Sequence, residues 1–144
     1  MPSKVNIEQQ LKYVRSFPSG VRNCYRINIT SGTKYLIRAF FYYGNYDGLN
    51  NPPQFDLHFG ANVWDTVKLS SREGFAFLEI IYTPSLNYIQ PCLVNTGKGI
   101  PFISVIELRT LNDKTYGTHS AKSVLSLSGR FHMGSKSNKN LQYR

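Results

Sequence analysis

The feature that most constrains this chain is a succession of short aromatic and β-branched runs, each closed off by turn-forming residues. The runs fall at residues 22–30, 34–43, 55–59, 63–69, 75–82, 88–95 and 102–111. Ser19-Gly20, Ser31-Gly32, Asp47-Gly48, Asn51-Pro52-Pro53, Gly60, Gly74, Pro84 and Gly97-Lys98-Gly99 separate them. Runs of this length with no sustained 3.6-residue period predict strands rather than helices. In residues 34–43 one parity is Tyr35, Ile37, Ala39 and Phe41, which suits a core face. The other is Leu36, Arg38, Phe40 and Tyr42, which suits a partly covered face. Only residues 7–13 leave room for a helix, and then for a turn or two. The expected fold is all-β, an antiparallel β-sandwich or barrel.

Composition narrows the classes further. With 144 residues, 41% apolar and 17% charged, the chain is large and apolar enough to bury a core. Two cysteines are too few for a disulfide-dense scaffold or a four-cysteine zinc site. No apolar run approaches the ~20 residues of a membrane helix, and the first residues lack the apolar stretch of a signal peptide. The net charge of +9 is uneven. Residues 1–113 hold eleven Lys/Arg against eight Asp/Glu, a net of +3, and residues 114–144 hold six Lys/Arg and no acid, a net of +6. That tail is rich in Ser, Gly, Asn and Lys, with its charges spread out rather than interleaved with aromatics. It reads as a solvated segment, and no nucleic-acid partner is expected.

Catalytic signatures are missing from the sequence. No HExxH, Cys-x-x-Cys, Gly-x-Ser-x-Gly or phosphate-binding glycine loop occurs. His58 lies within a strand pattern, while His119 and His132 lie in the polar tail. Asp47, Asp56 and Asp65 recur nine residues apart but without the dense oxygen spacing of a calcium loop. Neither a catalytic residue nor a metal or other cofactor is expected, and a glycosidase would need paired carboxylates that spacing does not support.

Several strings in fixed order carry a resemblance. They include Arg15-Ser16-Phe17-Pro18-Ser19-Gly20, Arg22-Asn23-Cys24-Tyr25 and Tyr43-Gly44-Asn45-Tyr46-Asp47-Gly48. Phe55-Asp56-Leu57-His58-Phe59-Gly60, Cys92-Leu93-Val94-Asn95-Thr96-Gly97 and Pro101-Phe102-Ile103-Ser104 continue the series. Together they resemble the malectin-like domain of plant leucine-rich-repeat receptor-like serine/threonine kinases. The resemblance implies an extracellular β-sandwich of jelly-roll type, normally built as two modules. It divides the chain into a module over residues 1–116, lacking its first strands, and a linker with the opening strand of a second module over 117–144. On this reading the chain is a receptor-ectodomain fragment, joined to a membrane only through parts of a parent receptor outside it.

The resemblance also implies sites. Animal malectin binds a glucose-containing glycan through loop aromatics and an acid, and the counterpart residues here are Tyr42, Tyr43, Tyr46 and Asp47. Stacked rings and a carboxylate are the groups a sugar needs. The alternative is that Gly44, Asn45, Asp47 and Gly48 make a turn while the tyrosines pack over the end of the sandwich. Trp64 is expected in the core. Cys24 and Cys92 either pair across strands or remain two thiols. Asn28-Ile29-Thr30 is an N-glycosylation sequon of use only on the secretory route. Pro91 removes a ladder donor and predicts an edge or a bulge. The expected role is recognition of a carbohydrate, or of a secreted peptide or co-receptor; the alternatives are a protein-interaction module without sugar binding and a truncated receptor fragment without function.

Overall fold

The computed structural model describes residues 9–71, 74–116 and 124–126. A single 3-10 turn, Gln9–Lys12, stands where the sequence leaves room for a helix. The strands are β1 (Arg15–Ser16), β2 (Arg22–Cys24), β3 (Ile27–Asn28), β4 (Tyr35–Tyr42), β5 (Gln54–Phe59) and β6 (Asn62–Lys68). They continue as β7 (Phe75–Tyr82), β8 (Tyr88–Ile89), β9 (Pro91–Lys98), β10 (Phe102–Ile103), β11 (Val105–Thr110) and β12 (Leu125–Ser126). One four-stranded sheet has the order β11-β4-β7-β12 and the other β2-β9-β5-β6, with the two-stranded ribbons β1-β10 and β3-β8 beside them. Every pairing is antiparallel. The fold is therefore the all-β antiparallel sandwich that the strand pattern predicts.

Its core follows from alternation along β4. Tyr35, Ile37, Ala39 and Phe41 are buried, and Tyr43 just beyond the strand continues the same parity. At one end Phe41 and Tyr43 pack with Phe55, Leu57, Val67, Leu93, Phe102 and Ile103. At the other, Tyr35 and Ile37 pack with Ile80 and Ile89. Trp64 is half-buried and touches both clusters. A bulge places it there, because Asp65 opposes Leu57 while Val63 opposes His58, leaving Trp64 as the extra residue. An inserted residue re-aims its side chain, and here it turns an indole inward that strict alternation would leave outside.

Two sequence runs break in a way that corrects a detail. Residues 22–30 form β2 and β3, and residues 88–95 form β8 and the start of β9. The two pairs share one register, Cys24 opposite Cys92 and Ile27 opposite Ile89. The interruption falls opposite Pro91. Tyr25 N donates to Pro91 O at 2.9 Å, but a proline has no N–H to complete the reciprocal bond. Pro91 is fully buried and opens β9, a strand with neighbours on both sides, so it is neither an edge nor a bulge residue. It is tolerated as the first residue of a strand.

Because Tyr25 and Pro91 occupy a hydrogen-bonding position, Cys24 and Cys92 occupy the neighbouring non-bonded one. There antiparallel strands approach most closely. The two are joined as a disulfide, with their Cα atoms 4.0 Å apart. The opening-strand assignment over residues 117–144 lies outside the described residues apart from 124–126. Of these, Leu125 and Ser126 add to β7 opposite Ile81 and Ile80.

Candidate ligand-recognition loop

The loop after β4 is set by the strand it leaves. Alternation sends Tyr43 inward and Tyr42 to the opposite face. Tyr43 N donates to Gly74 O at 3.0 Å, Tyr46 N to Tyr43 O at 3.1 Å and Gly48 N to Asn45 O at 3.0 Å. Gly44 has φ +51°, and a Cβ there would sit 2.7 Å from the Tyr42 ring, so the close approach needs glycine. Asn45 follows with φ 52°. Its side chain ties the loop shut, accepting from Asn50 N at 2.8 Å and donating to Asn50 Oδ1 at 3.0 Å.

The Tyr43 ring is fully buried, and its hydroxyl donates to Asp47 Oδ1. The same oxygen accepts from Leu49 N at 3.0 Å. Tyr46 is 41% exposed and packs edge-on against Tyr43 and Phe102, with both centroid distances 5.5 Å. Tyr42 is half-buried on the outer face of β4, its main-chain N–H bonded to Ser104 Oγ at 3.1 Å. Tyr43, Tyr46 and Asp47 thus meet at one end of the sandwich, and Tyr42 stands apart. Only Tyr46 and part of Asp47 face outward. Tyr43 and Tyr46 both pack against Phe102 there.

Burial and the nearby Asp47 carboxylate both push the Tyr43 phenol above its ordinary value. Burial, then Asp47 and then Tyr43 push Tyr46 up to about 12. The folded chain therefore holds the Tyr46 proton more tightly than the unfolded chain, whose phenols ionise near 10. The resulting stabilisation is complete below pH about 10 and fades as pH rises toward 12. An ultraviolet phenolate titration of native protein should show Tyr43 and Tyr46 ionising late, and Tyr46→Phe should reduce the late phase by one phenol. A titration superimposable on unfolded chain would refute the packing.

Other sequence candidates are scattered. Asn28 is exposed at the end of β3. Asp56 accepts from Thr66 Oγ1 at 2.7 Å and Asp65 from Thr66 N at 2.7 Å, while Asp47 serves its own loop. Among the described residues no group of three His, Cys, Asp or Glu lies close enough to hold a metal ion. On the outer face of the β2-β9-β5-β6 sheet, Arg22 reaches across β9 to donate to His58 Nδ1 at 2.9 Å and to Gly60 O.

Sequence reasoning missed two surfaces. On the outer face of β4 and β7, Phe40, Phe75 and Phe77 form a cluster of rings about 6 Å apart, with Phe75 and Phe77 each nearly half exposed. Arg38 lies over Phe40 and Phe77 and pairs with the buried Glu79. The period-two placement of these phenylalanines was visible, but not which face of the sheet lay open. The second surface is a groove of about 320 Å³ lined by Tyr13, Val14 and Arg15, by Tyr25 and Ile27, and by residues 103–106. Its walls come from separate stretches of chain, so no local motif marks it.

The described residues thus form antiparallel sheets with a tyrosine-rich loop closed by its own bonds at one end. The family model for the malectin-like domain matches residues 1–144, and the chain belongs to that family. A probable leucine-rich-repeat receptor-like serine/threonine-protein kinase of Arabidopsis thaliana is 52% identical over 121 residues, 84% of this chain and 14% of that protein. A second such kinase of the same plant is 46% identical over 140 residues, 97% of this chain and 16% of that protein. The chain thus spans about one seventh of the first of these relatives. Among solved structures, the plant receptor-like kinase FER matches with a TM-score of 0.60 at 20% identity, covering 78% of this chain and 33% of that one. The ANX2 ectodomain from Arabidopsis thaliana matches at 0.59 and 16% identity, covering 73% and 30%. FER in complex with the plant peptide RALF23 and LLG2 matches at 0.51 and 19% identity, covering 69% and 28%. At these identities the structures establish the fold. Among the described residues no helix is long and apolar enough to cross a membrane.

Proposed function

We propose that this chain is a noncatalytic, extracellular recognition module of a receptor-like kinase, and that its ligand is a secreted peptide or a co-receptor protein. The observation that carries this reading is the closure of the Tyr43–Asp47 loop upon itself. The Tyr43 ring is buried and its hydroxyl is used by Asp47, so two of the groups a sugar site would need are already committed. Peptide recognition does not need that loop, since sandwich edges and grooves supply main-chain bonds and apolar contacts. The complex of the neighbour FER with a peptide and LLG2 supports the same class of ligand.

A second reading, carbohydrate binding, is favoured by one observation: Tyr46 and Asp47 lie side by side at the surface. One experiment separates the two. Calorimetry of this chain against a panel of secreted plant peptides, RALF23 among them, should give binding that survives Tyr46→Ala. A glycan array should give no signal. A glycan signal abolished by Tyr46→Ala, with no peptide bound, would overturn the peptide reading.

A further inference from the structure

We propose that the groove beside β11 receives an extended peptide segment carrying an aliphatic or aromatic side chain next to a carboxylate. This rests on the peptide-recognition reading and names a site for it. Val14, Tyr25, Ile27, Ile103 and Ile106 line the groove, and Arg15 stands at its rim. About 320 Å³ accommodates one or two large side chains. Among the described residues no carboxylate lines it. The Arg15 guanidinium rests 5.2 Å from the Phe17 ring centre and 5.4 Å from that of Tyr25, held by two aromatic rings. Among the described residues Arg15 forms no ion pair. A fixed, unpaired cation beside an apolar floor is complementary to an acidic residue flanked by an apolar one.

The strand next to the groove supplies the third element. Among the described residues β11 pairs only with β4, and no described strand occupies its other edge. Leu111 N donates to Lys34 O at 2.8 Å. Antiparallel alternation then directs the main-chain groups of Val105, Glu107 and Arg109 toward β4 and those of Ile106 and Leu108 away from it. A peptide added along this edge would bond to Ile106 and Leu108. Alternate side chains would enter the groove at Ile106, with a carboxylate at Arg15. Main-chain bonds would give affinity, and the groove and the guanidinium would give selectivity.

The test is a titration of isotope-labelled full chain with acetyl-Asp-Leu-Phe-Leu-Asp-amide, followed by nuclear magnetic resonance. A second peptide with Lys in place of Asp is the control. The acidic peptide should shift the amides of Ile27, Ile103, Ile106 and Leu108 and slow hydrogen exchange at Ile106 and Leu108. The Lys peptide, and the Arg15→Glu variant with the acidic peptide, should each bind about tenfold more weakly. Wild-type amide dispersion in Arg15→Glu shows that the variant folds. No shifts, equal binding of both peptides, or shifts confined to the Phe75 and Phe77 face would overturn the proposal. So would binding seen only after removal of residues 1–8, which would make the chain's own amino-terminal segment the occupant. If the groove fails while calorimetry still detects a secreted peptide, the site is wrong and the recognition reading stands.

Discussion

Reduction of the Cys24–Cys92 bond should lower the stability of this chain by about 4 kcal/mol, the chain-entropy value for so long a closed loop. The cysteines are 68 residues apart, so cleavage releases much of the sandwich from a constraint on its unfolded state. For a domain of this size the melting temperature should fall by about 10 °C. The non-bonded register position lets the bridge span neighbouring strands. Urea unfolding with and without a reducing agent gives the measurement, and Cys24→Ser is the genetic equivalent. It is preferable to Cys92→Ser because Cys24 is exposed and Cys92 is fully buried. A midpoint unmoved by reduction would mean that the bond contributes nothing to the fold.

Phe102→Ala should have a comparable effect, about 4 kcal/mol, by removing a fully buried ring. Phe102 lies 6.3 Å from Phe41, 6.1 Å from Tyr43, 5.5 Å from Tyr46 and 5.8 Å from Phe55. These neighbours come from β4, the following loop and β5, so no one of them can close the void by moving alone. The loss is a large share of the stability of an ordinary domain. It should also reach the loop, because Tyr46 would lose the ring on which it rests. The expected result is a lower urea midpoint with an unchanged slope, together with an earlier phenolate titration of Tyr46. A midpoint within about 1 kcal/mol of wild type would show that the aromatic cluster can repack.

Much of the fold was legible because alternation is a local property. Tyr35, Ile37, Ala39 and Phe41 are a core face by parity alone, and all four are buried. The family resemblance was equally legible, since it rests on ordered strings of residues, and the family model matches the whole chain. Less legible were features made by two strands at once. Pro91 announced a missing donor, but only its partner Tyr25 shows where the ladder is interrupted. The bulge at Trp64 is a count of residues on β6 against β5 and leaves no mark on either strand by itself. In the candidate loop, parity alone separates Tyr42 from Tyr43. What residue types could not give was the bond from the Tyr43 hydroxyl to Asp47. The groove was invisible for the reason that long-range contacts generally are. Residues 14–15, 25–27 and 103–106 meet only after the chain has folded.

The inward turn of Trp64 has a consequence for how the sandwich comes apart. A single indole is shared by the two halves of the hydrophobic interior, one built around Phe41 and the other around Ile37. Loss of either half would uncover one side of that indole. The chain's one tryptophan is therefore a natural fluorophore placed at the seam of the two apolar clusters.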